Sequence, residues 1–429
     1  MRRRTCALFV LVLFTLCLSF SVFAGGQQEE GGEEKVTIVV QDWLKAQQGS
    51  KTGDYVDTID AGYMAKYPNV KVVRQEGKPF NNDEVTASIM ASDGPDSYLI
   101  IVNGQDMNIL GEGFAVLDDY VEDLRKDFPE GALTDCTVGR DLDNGLRGLP
   151  VTVQGWTWYY NKSLYRDAGL DPENPSTTWD GLLEASEKLK SSGVIPVALS
   201  MAPYMEWAIA GSMDHLLSLD EKKKLFSGDV KFTDSKIVDV FAKFQELFEK
   251  GYMDPAGLTL PTFRDSGEKF MAQKTAIFRG LISDTYNWKE FGDALGEENL
   301  GTIPNFSWSG VDKEDTLGVA GGITYVAMNY SKNLEETINY IKWTASPEGQ
   351  QTGLDVGGFM VPSNKVDRSG INSIGKELYD YVDNNSVAPA KTYIQNPQWA
   401  VIRSHASLLF SGEITPEEYA QAIEDVRPE

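Results

Sequence analysis

Gly148-Leu149-Pro150-Val151-Thr152-Val153-Gln154-Gly155-Trp156-Thr157-Trp158-Tyr159-Tyr160-Asn161-Lys162 is the run on which the reading of this chain turns. Proline sets a rigid bend, and the Val-, Thr-, Trp- and Tyr-rich segment behind it reads as one or two strands. Side chains alternate along a strand, so Trp156, Trp158, Tyr159 and Tyr160 place large rings on both faces. One face can be core. The other needs a partner, and a flat ligand is one candidate. Beyond the run, Thr178 is placed to cap a helix carrying Trp179, Leu182, Leu183 and Leu189.

Upstream, Val36 to Val40 is an apolar run of the kind found in a buried parallel strand, ending in Gln41-Asp42-Trp43. Val56, Ile59, Tyr63, Met64 and Tyr67 recur at helical spacing until Pro68. A strand at Val70–Val73, a helix at Val85–Ala91 and a strand at Ser97–Val102 follow. This alternation is the mark of a parallel α/β sheet. Ligands of open α/β sheets bind beyond the carboxyl ends of strands, which makes Trp43 and Asn103 candidates, with core capping the rival role for Trp43. Downstream, a strand at Val194–Leu199, an amphipathic helix through Ile237, Phe241, Phe244 and Phe248, and a strand at Thr275–Arg279 continue the pattern. Thr415-Pro416-Glu417-Glu418 is a capping box with proline at the first helical position. Bends near Pro150 and Pro304, with α/β pattern on both sides, predict two lobes joined by several chain crossings.

Residues 1–24 carry Arg2, Arg3 and Arg4, an apolar run from Ala7 to Phe20, and Val22-Phe23-Ala24 before a cut. That is the pattern of a secretory signal peptide, the apolar run being shorter than the roughly 20 residues of a membrane span. Residues 25–35 read as a flexible acidic tether, which keeps lipid attachment at Cys17 as the lesser alternative. The formal charge of −25 becomes three units more negative if residues 1–24 are removed. Such a surface repels nucleic acid and anionic lipid. Cys136 is then the one cysteine left, and it reads as a small core hydrophobe.

Catalytic signatures are missing. There is no GxxxxGK[ST] phosphate loop, GxSxG elbow or HExxH zinc helix. Two histidines, His215 and His405, leave a triad or transition-metal site poorly supported. No cofactor and no metal are expected. Asp141-Leu142-Asp143-Asn144-Gly145 reads as a solvated turn, and Tyr159-Tyr160 as a poor iron-binding pair because a strand turns the two rings apart. A carboxylate pair for glycoside hydrolysis cannot be picked out among 64 acids. What stands out is the aromatic inventory of nine tryptophans, several beside loops. Indole faces stack on the CH face of sugars, with polar neighbours for the hydroxyls, and small-molecule sites are built in this way.

The order of several segments resembles a family, the extracellular solute-binding proteins of bacterial ABC importers, in the sugar-binding group that includes maltose-binding protein. The segments are Ala91-Ser92-Asp93-Gly94-Pro95-Asp96, Gly113 to Tyr120, Leu149-Pro150 through Asn161-Lys162 with Ala168-Gly169-Leu170 and Thr178-Trp179, Phe270 to Gly280, Gly321-Gly322, and Ser346-Pro347-Glu348-Gly349. The resemblance implies a two-lobed α/β fold with a hinge and an interlobe ligand cleft. It implies an N-terminal lobe of 36–149 and 316–358 and a C-terminal lobe of 150–315 and 359–429, with Leu149, Pro150, Ile303, Pro304 and Gly358 at the hinge. Its ligand-binding residues map onto Trp43, Asp93, Asn103, Gln154, Trp156, Trp207, Arg279, Gly280, Gly321, Gly322 and Phe359. The chain departs from the family at Leu281-Ile282, where a tryptophan is common, and Trp288 is a possible replacement. The function implied is capture of a mono- or oligosaccharide outside the cytoplasmic membrane and its delivery to a membrane permease, by a monomer with no enzymatic activity. A secreted glycoside-acting enzyme and a lipid-anchored adhesin are the alternatives.

Overall fold

Strand and helix boundaries in the computed structural model follow local chemistry closely around the aromatic run. The model describes residues 35–45, 51–78, 81–102, 104–199, 205–259, 263–283, 286–308, 317–384 and 386–428. The predicted signal peptide, tether (apart from Lys35) and Asn103 lie outside the described residues. Asn161 ends the aromatic strand by turning its Oδ1 onto the backbone N–H groups of Ser163 and Leu164, at 2.9 and 3.1 Å, which opens the helix Lys162–Asp167. Thr178 caps the helix Trp179–Ser191 through the Gly181 N–H at 3.1 Å. The capping box at Thr415 and Glu418 is formed, and it starts the helix Pro416–Asp425.

Eleven strands are present among the described residues, in two sheets. β1 (Val36–Asp42), β2 (Val70–Glu76) and β3 (Ser97–Ile101) run parallel and alternate with helices, as the sequence predicts. β4 (Leu149–Pro150) continues after a short break into β5 (Val153–Asn161), the aromatic strand. β6 (Ile195–Leu199), β7 (Thr275–Leu281), β8 (Leu300–Ile303), β9 (Leu317–Gly321), β10 (Ile323–Ala327) and β11 (Ser386–Val387) complete the set. The first sheet has the order β2-β1-β3-β10-β4. The second has the order β11-β9-β5-β7-β6, with β8 also paired to β5.

β5 divides the core of the second lobe. Trp158 and Tyr160 point into one apolar cluster with Trp179, Phe241 and Phe244. Val153 and Tyr159 point into another with Phe278, Phe291 and Trp288. The opposed rings of Tyr159 and Tyr160 are therefore both structural. The first lobe has its own core, in which Cys136 is fully buried and donates to the Ala132 carbonyl at 3.5 Å.

A second tie in the first lobe is polar. Arg74 of β2 is bonded to Asp42 at the end of β1, to both carboxylate oxygens of Asp60 at 2.6 and 2.8 Å, and to the hydroxyls of Tyr325 (3.0 Å) and Tyr340. Burial of such a group requires compensation of this kind.

The lobes are joined by an antiparallel ribbon. Leu149 and Pro150 pair with Tyr325 and Thr324 in the first sheet, while Val153, Gln154 and Gly155 pair with Gly321, Ala320 and Val319 in the second. Between them the ladder is kept by Gly322 N–H to Thr152 O and Val151 N–H to Ile323 O, both 2.8 Å. A Cβ at Gly322 would sit 2.1 Å from the Thr152 hydroxyl, and one at Gly321 would sit 2.6 Å from the Ala132 carbonyl. Close backbone approach at the crossing requires glycine at both.

Two expectations are corrected here. β9 is hydrogen-bonded to β5, so the chain enters the first lobe at Gly321-Gly322 and not at 316. Ile303 and Pro304 are not at a crossing: Ile303 pairs with Trp158 inside the second sheet, and the Pro304 carbonyl accepts from Arg279. At the expected return point Gly358 turns the chain, with φ +67°, and Met360 bonds to Val153 and Ser283 and packs in the second-lobe cluster, while Phe359, Val361 and Val366 pack in the first core, so the chain runs along the lobe junction until the helix Ser373–Asn384.

Candidate functional site: an aromatic cavity at the lobe junction

β6 and β7 are parallel, and β5 runs against them, so two strand carboxyl ends meet the start of β5. Over them lies the helix Met205–Leu216. Gln154 and Trp156 of β5 face Trp207, Gly211 and Asp214 of that helix, with Arg279 of β7 between. Gly318 and Ala320 of β9 close one side, and Pro389 with Lys391 another. Together they enclose about 20 Å³, room for roughly one water.

Three indoles form a connected surface here. Trp156, 4 % exposed, stacks on Trp207 with centroids 6.0 Å apart and planes 20° apart. Trp399 of the helix Asn396–Ser411 meets Trp207 edge-on at 5.4 Å. Arg279 lies across the helix, bonded to the Pro304 carbonyl (3.2 Å) and Asn305 Oδ1 (3.1 Å), with Trp158 beneath it at 5.2 Å. The helix has Gly211 at this level because a Cβ would come within 2.1 Å of the guanidinium.

The charges are buried and balanced. Burial pushes Arg279 down to about 9, against the opposing pull of Asp214. Burial also raises Asp214, which Lys222 at 3.6 Å and the Ala390 N–H hold back. Glu206, 1 % exposed, is pushed up to about 7 by burial, although Arg403 lies 3.0 Å away. On the first lobe, burial raises Asp135 to about 6, with Arg140 3.7 Å away pulling it down.

The Glu206 shift gives a signed expectation. Its folded-state value stands above the ordinary carboxylate value of 4.5, so its contribution to stability is complete below pH 4.5 and is lost as pH rises through 7. Glu206→Gln is expected to remove that slope and to be more stable than the parent at pH 8 by about 2 kcal/mol. Denaturation midpoints of both proteins between pH 4.5 and 8 measure it, and parallel curves would refute it.

The first lobe reaches the site from across the cleft. Asn396 donates to Asp106 Oδ1 and Thr392 to Asp135 Oδ2, both at 3.4 Å, and Arg140 lies 4.7 Å from the Tyr393 ring centre. The lobes are thus in contact around the cavity.

Of the residues implied by the sequence, the structure brings Gln154, Trp156, Trp207 and Arg279 together. Trp43 is half-buried against the first core just beyond β1. Asp93 is exposed before β3 begins, at the sheet edge away from the strand carboxyl ends. Gly280 follows Arg279 in β7 and so faces the other side of the sheet. Gly321 and Gly322 serve the crossing. Phe359 packs edge-on against Tyr55 at 5.2 Å in the first core. Trp288 lies apart from this cavity: it is buried in the opposite cluster, and a Cβ on Gly375 would touch its ring at 2.7 Å. A larger open groove of about 760 Å³ lies on that opposite side, but Trp288 is its one ring among the described residues and its wall is mostly charged and polar.

Sequence reasoning did not select Asp106, Asp135, Glu206, Asp214, Lys391 or Trp399. Trp399 carried a weak signal as an aromatic beside a loop. The others look like ordinary surface charges until the fold buries them.

The comparisons with known proteins agree with this architecture. A family model described as bacterial extracellular solute-binding protein matches residues 46–351. An uncharacterized ABC transporter extracellular-binding protein of Pyrococcus horikoshii is 26 % identical over 259 residues, 56 % of this chain and 55 % of the relative, so the match spans about half of that protein. The sn-glycerol-3-phosphate-binding periplasmic protein of Shigella flexneri is 26 % identical over 300 residues, 64 % of this chain and 67 % of the relative. Among solved structures, a chitin oligosaccharide binding protein superposes with a TM-score of 0.75 over 92 % of this chain and 98 % of its own, at 19 % identity.

Proposed function

The chain belongs to the bacterial extracellular solute-binding protein family, and we propose that it captures a carbohydrate between its lobes and delivers it to the permease of an ABC importer. The observation that carries this reading is the tryptophan surface. Trp156 and Trp207 are stacked at the strand ends, and Trp399 extends them. Gln154, Asp214 and Arg279 stand beside the rings as donors and acceptors for hydroxyl groups. Apolar faces ringed by a few placed polar groups suit a sugar.

Binding favours closure because only the closed arrangement lets both lobes touch the ligand. Asp106, Asp135 and Arg140 are the first-lobe groups that come within reach. The protein acts by capture and release, as a monomer, and leaves the sugar intact. It works outside the cytoplasmic membrane after removal of residues 1–24, with lipid attachment at Cys17 the less favoured form.

A thermal-shift and calorimetric screen tests the reading with chitobiose, chitotriose, other neutral oligosaccharides and sn-glycerol-3-phosphate. A true ligand at 100 times its Kd adds about 2.7 kcal/mol to stability. Chromatography of the same mixtures should return the sugar uncleaved. Products of hydrolysis would favour a glycoside-acting enzyme instead. Arg279 and Lys391 supply two cations against Asp214 in the cavity wall, so a response to sn-glycerol-3-phosphate alone would move the reading to an anionic polyol.

A further inference from the structure

The cavity holds about 20 Å³, whereas sites for small organic ligands are in the range of roughly 300–1,000 Å³. Lys391 is one of the side chains packed into the space beside the tryptophans. It is 5 % exposed, lines the cavity, and its Nζ lies 4.7 Å from the centre of the Trp399 ring. Trp399 itself does not line the cavity, although its neighbour Trp207 does. The lysine stands between the cavity and that indole.

The segment bearing it is well anchored. Pro389 leads into the single turn Ala390–Tyr393, the Ala390 N–H is bonded to Asp214, and Thr392 reaches Asp135 of the first lobe. The backbone is therefore fixed at both ends of the turn, while the lysine stem is a flexible four-carbon chain. An ammonium over an indole face is an attractive contact, worth more when water is excluded. Here it also sits in the field of Asp106 and Asp135 from the first lobe and Glu206 from the second, with Arg140 opposing. Burial nonetheless lowers its pKa to about 8, so the seat is only partly compensated.

We propose that Lys391 is an internal stand-in for the ligand, its side chain covering the Trp399 face on which a sugar ring stacks and swinging out when the sugar enters. This rests on the carbohydrate reading for its second half. The first half, that the lysine screens Trp399 in the ligand-free protein, does not. Withdrawal of the stem would also remove a positive charge from the field shared by Asp106, Asp135 and Glu206. Any ligand must compete with the lysine, and apparent affinity is reduced by the fraction of protein in which the seat is free.

Two measurements on the full chain test this. In ligand-free protein, Lys391→Ala should raise acrylamide quenching of tryptophan fluorescence, and the increment should vanish in Lys391→Ala/Trp399→Phe. Lys391→Met, which keeps a stem over the ring, should quench like the parent. Unchanged quenching in Lys391→Ala, with a parent-like circular dichroism spectrum, overturns the proposal. In calorimetry with chitobiose, chitotriose and sn-glycerol-3-phosphate, whichever probe binds the parent should bind Lys391→Ala about five- to tenfold more tightly. A tenfold loss would make Lys391 a ligand-holding group and also overturn it. If no probe binds either protein the carbohydrate reading fails, and the quenching result alone decides for or against the screen.

Discussion

Arg74→Met is expected to cost the first lobe about 3–5 kcal/mol, the usual effect of removing one partner from a buried ionic network. The methionine fills much of the same space. What is lost is the cation between Asp42 and Asp60, together with the donors that satisfy the Tyr325 and Tyr340 hydroxyls. Two carboxylates then share a buried site with no counter-ion. The network ties β1 and β2 to the helices Lys51–Lys66 and Leu334–Ala345, so its loss loosens the whole lobe. Urea denaturation measures the change. A further test is the triple replacement Arg74→Met, Asp42→Asn, Asp60→Asn, which removes the charges together and should recover most of the loss. A triple variant as unstable as the single one would show that packing, and not charge, is what the network supplies.

Trp156→Ala is expected to weaken binding of the sugar at least tenfold, about 1.4 kcal/mol. The indole is the ring that β5 presents to the cavity, beside Gln154, and Trp207 is held within 20° of parallel to it. Removing the first ring lets the second tilt, so two stacking faces are disturbed by one change. The same substitution opens a void in a nearly closed site and should cost about 3–5 kcal/mol of stability. Calorimetry well below the unfolding midpoint separates these effects. Trp156→Phe keeps a face for stacking and should recover most of the affinity. Equal affinity in the parent and the alanine variant would remove Trp156 from the site.

Where the sequence was informative, the cause was local. Alternation along Val153–Tyr160 put large rings on both faces of the strand, and caps at Thr178 and Thr415 marked helix starts, whereas Gln154, Trp156, Trp207 and Arg279 were reached through the family resemblance. The runs at Val36–Val40 and Ser97–Val102 identified parallel strands. Pro304 misled because proline sets a dihedral angle and says nothing of partners: Ile303 is committed to Trp158, far away in sequence. The error at 316 has the same origin, since β9 belongs with β5 only through pairing. Phe359 and Trp288 show the limit for aromatics, because a ring beside a loop can be drawn inward by either lobe. Asp214 and Lys391 were invisible for a third reason. Their importance comes from desolvation, which exists only once distant segments have closed over them.

The cavity has one further property, which concerns timing. Every residue that lines it belongs to the second sheet or to segments packed on that sheet. On the proposed reading the first lobe closes over it second, bringing Asp106, Asp135 and Arg140. Loading should therefore have a fixed sequence, first adsorption to one half and then capping by the other. Stopped-flow fluorescence would then record a fast phase whose rate rises linearly with sugar, followed by a slower phase that does not depend on concentration. A sugar that fits the tryptophans but offers nothing to the capping half would give the first phase alone, occupying the protein without producing the closed shape that a permease could recognise.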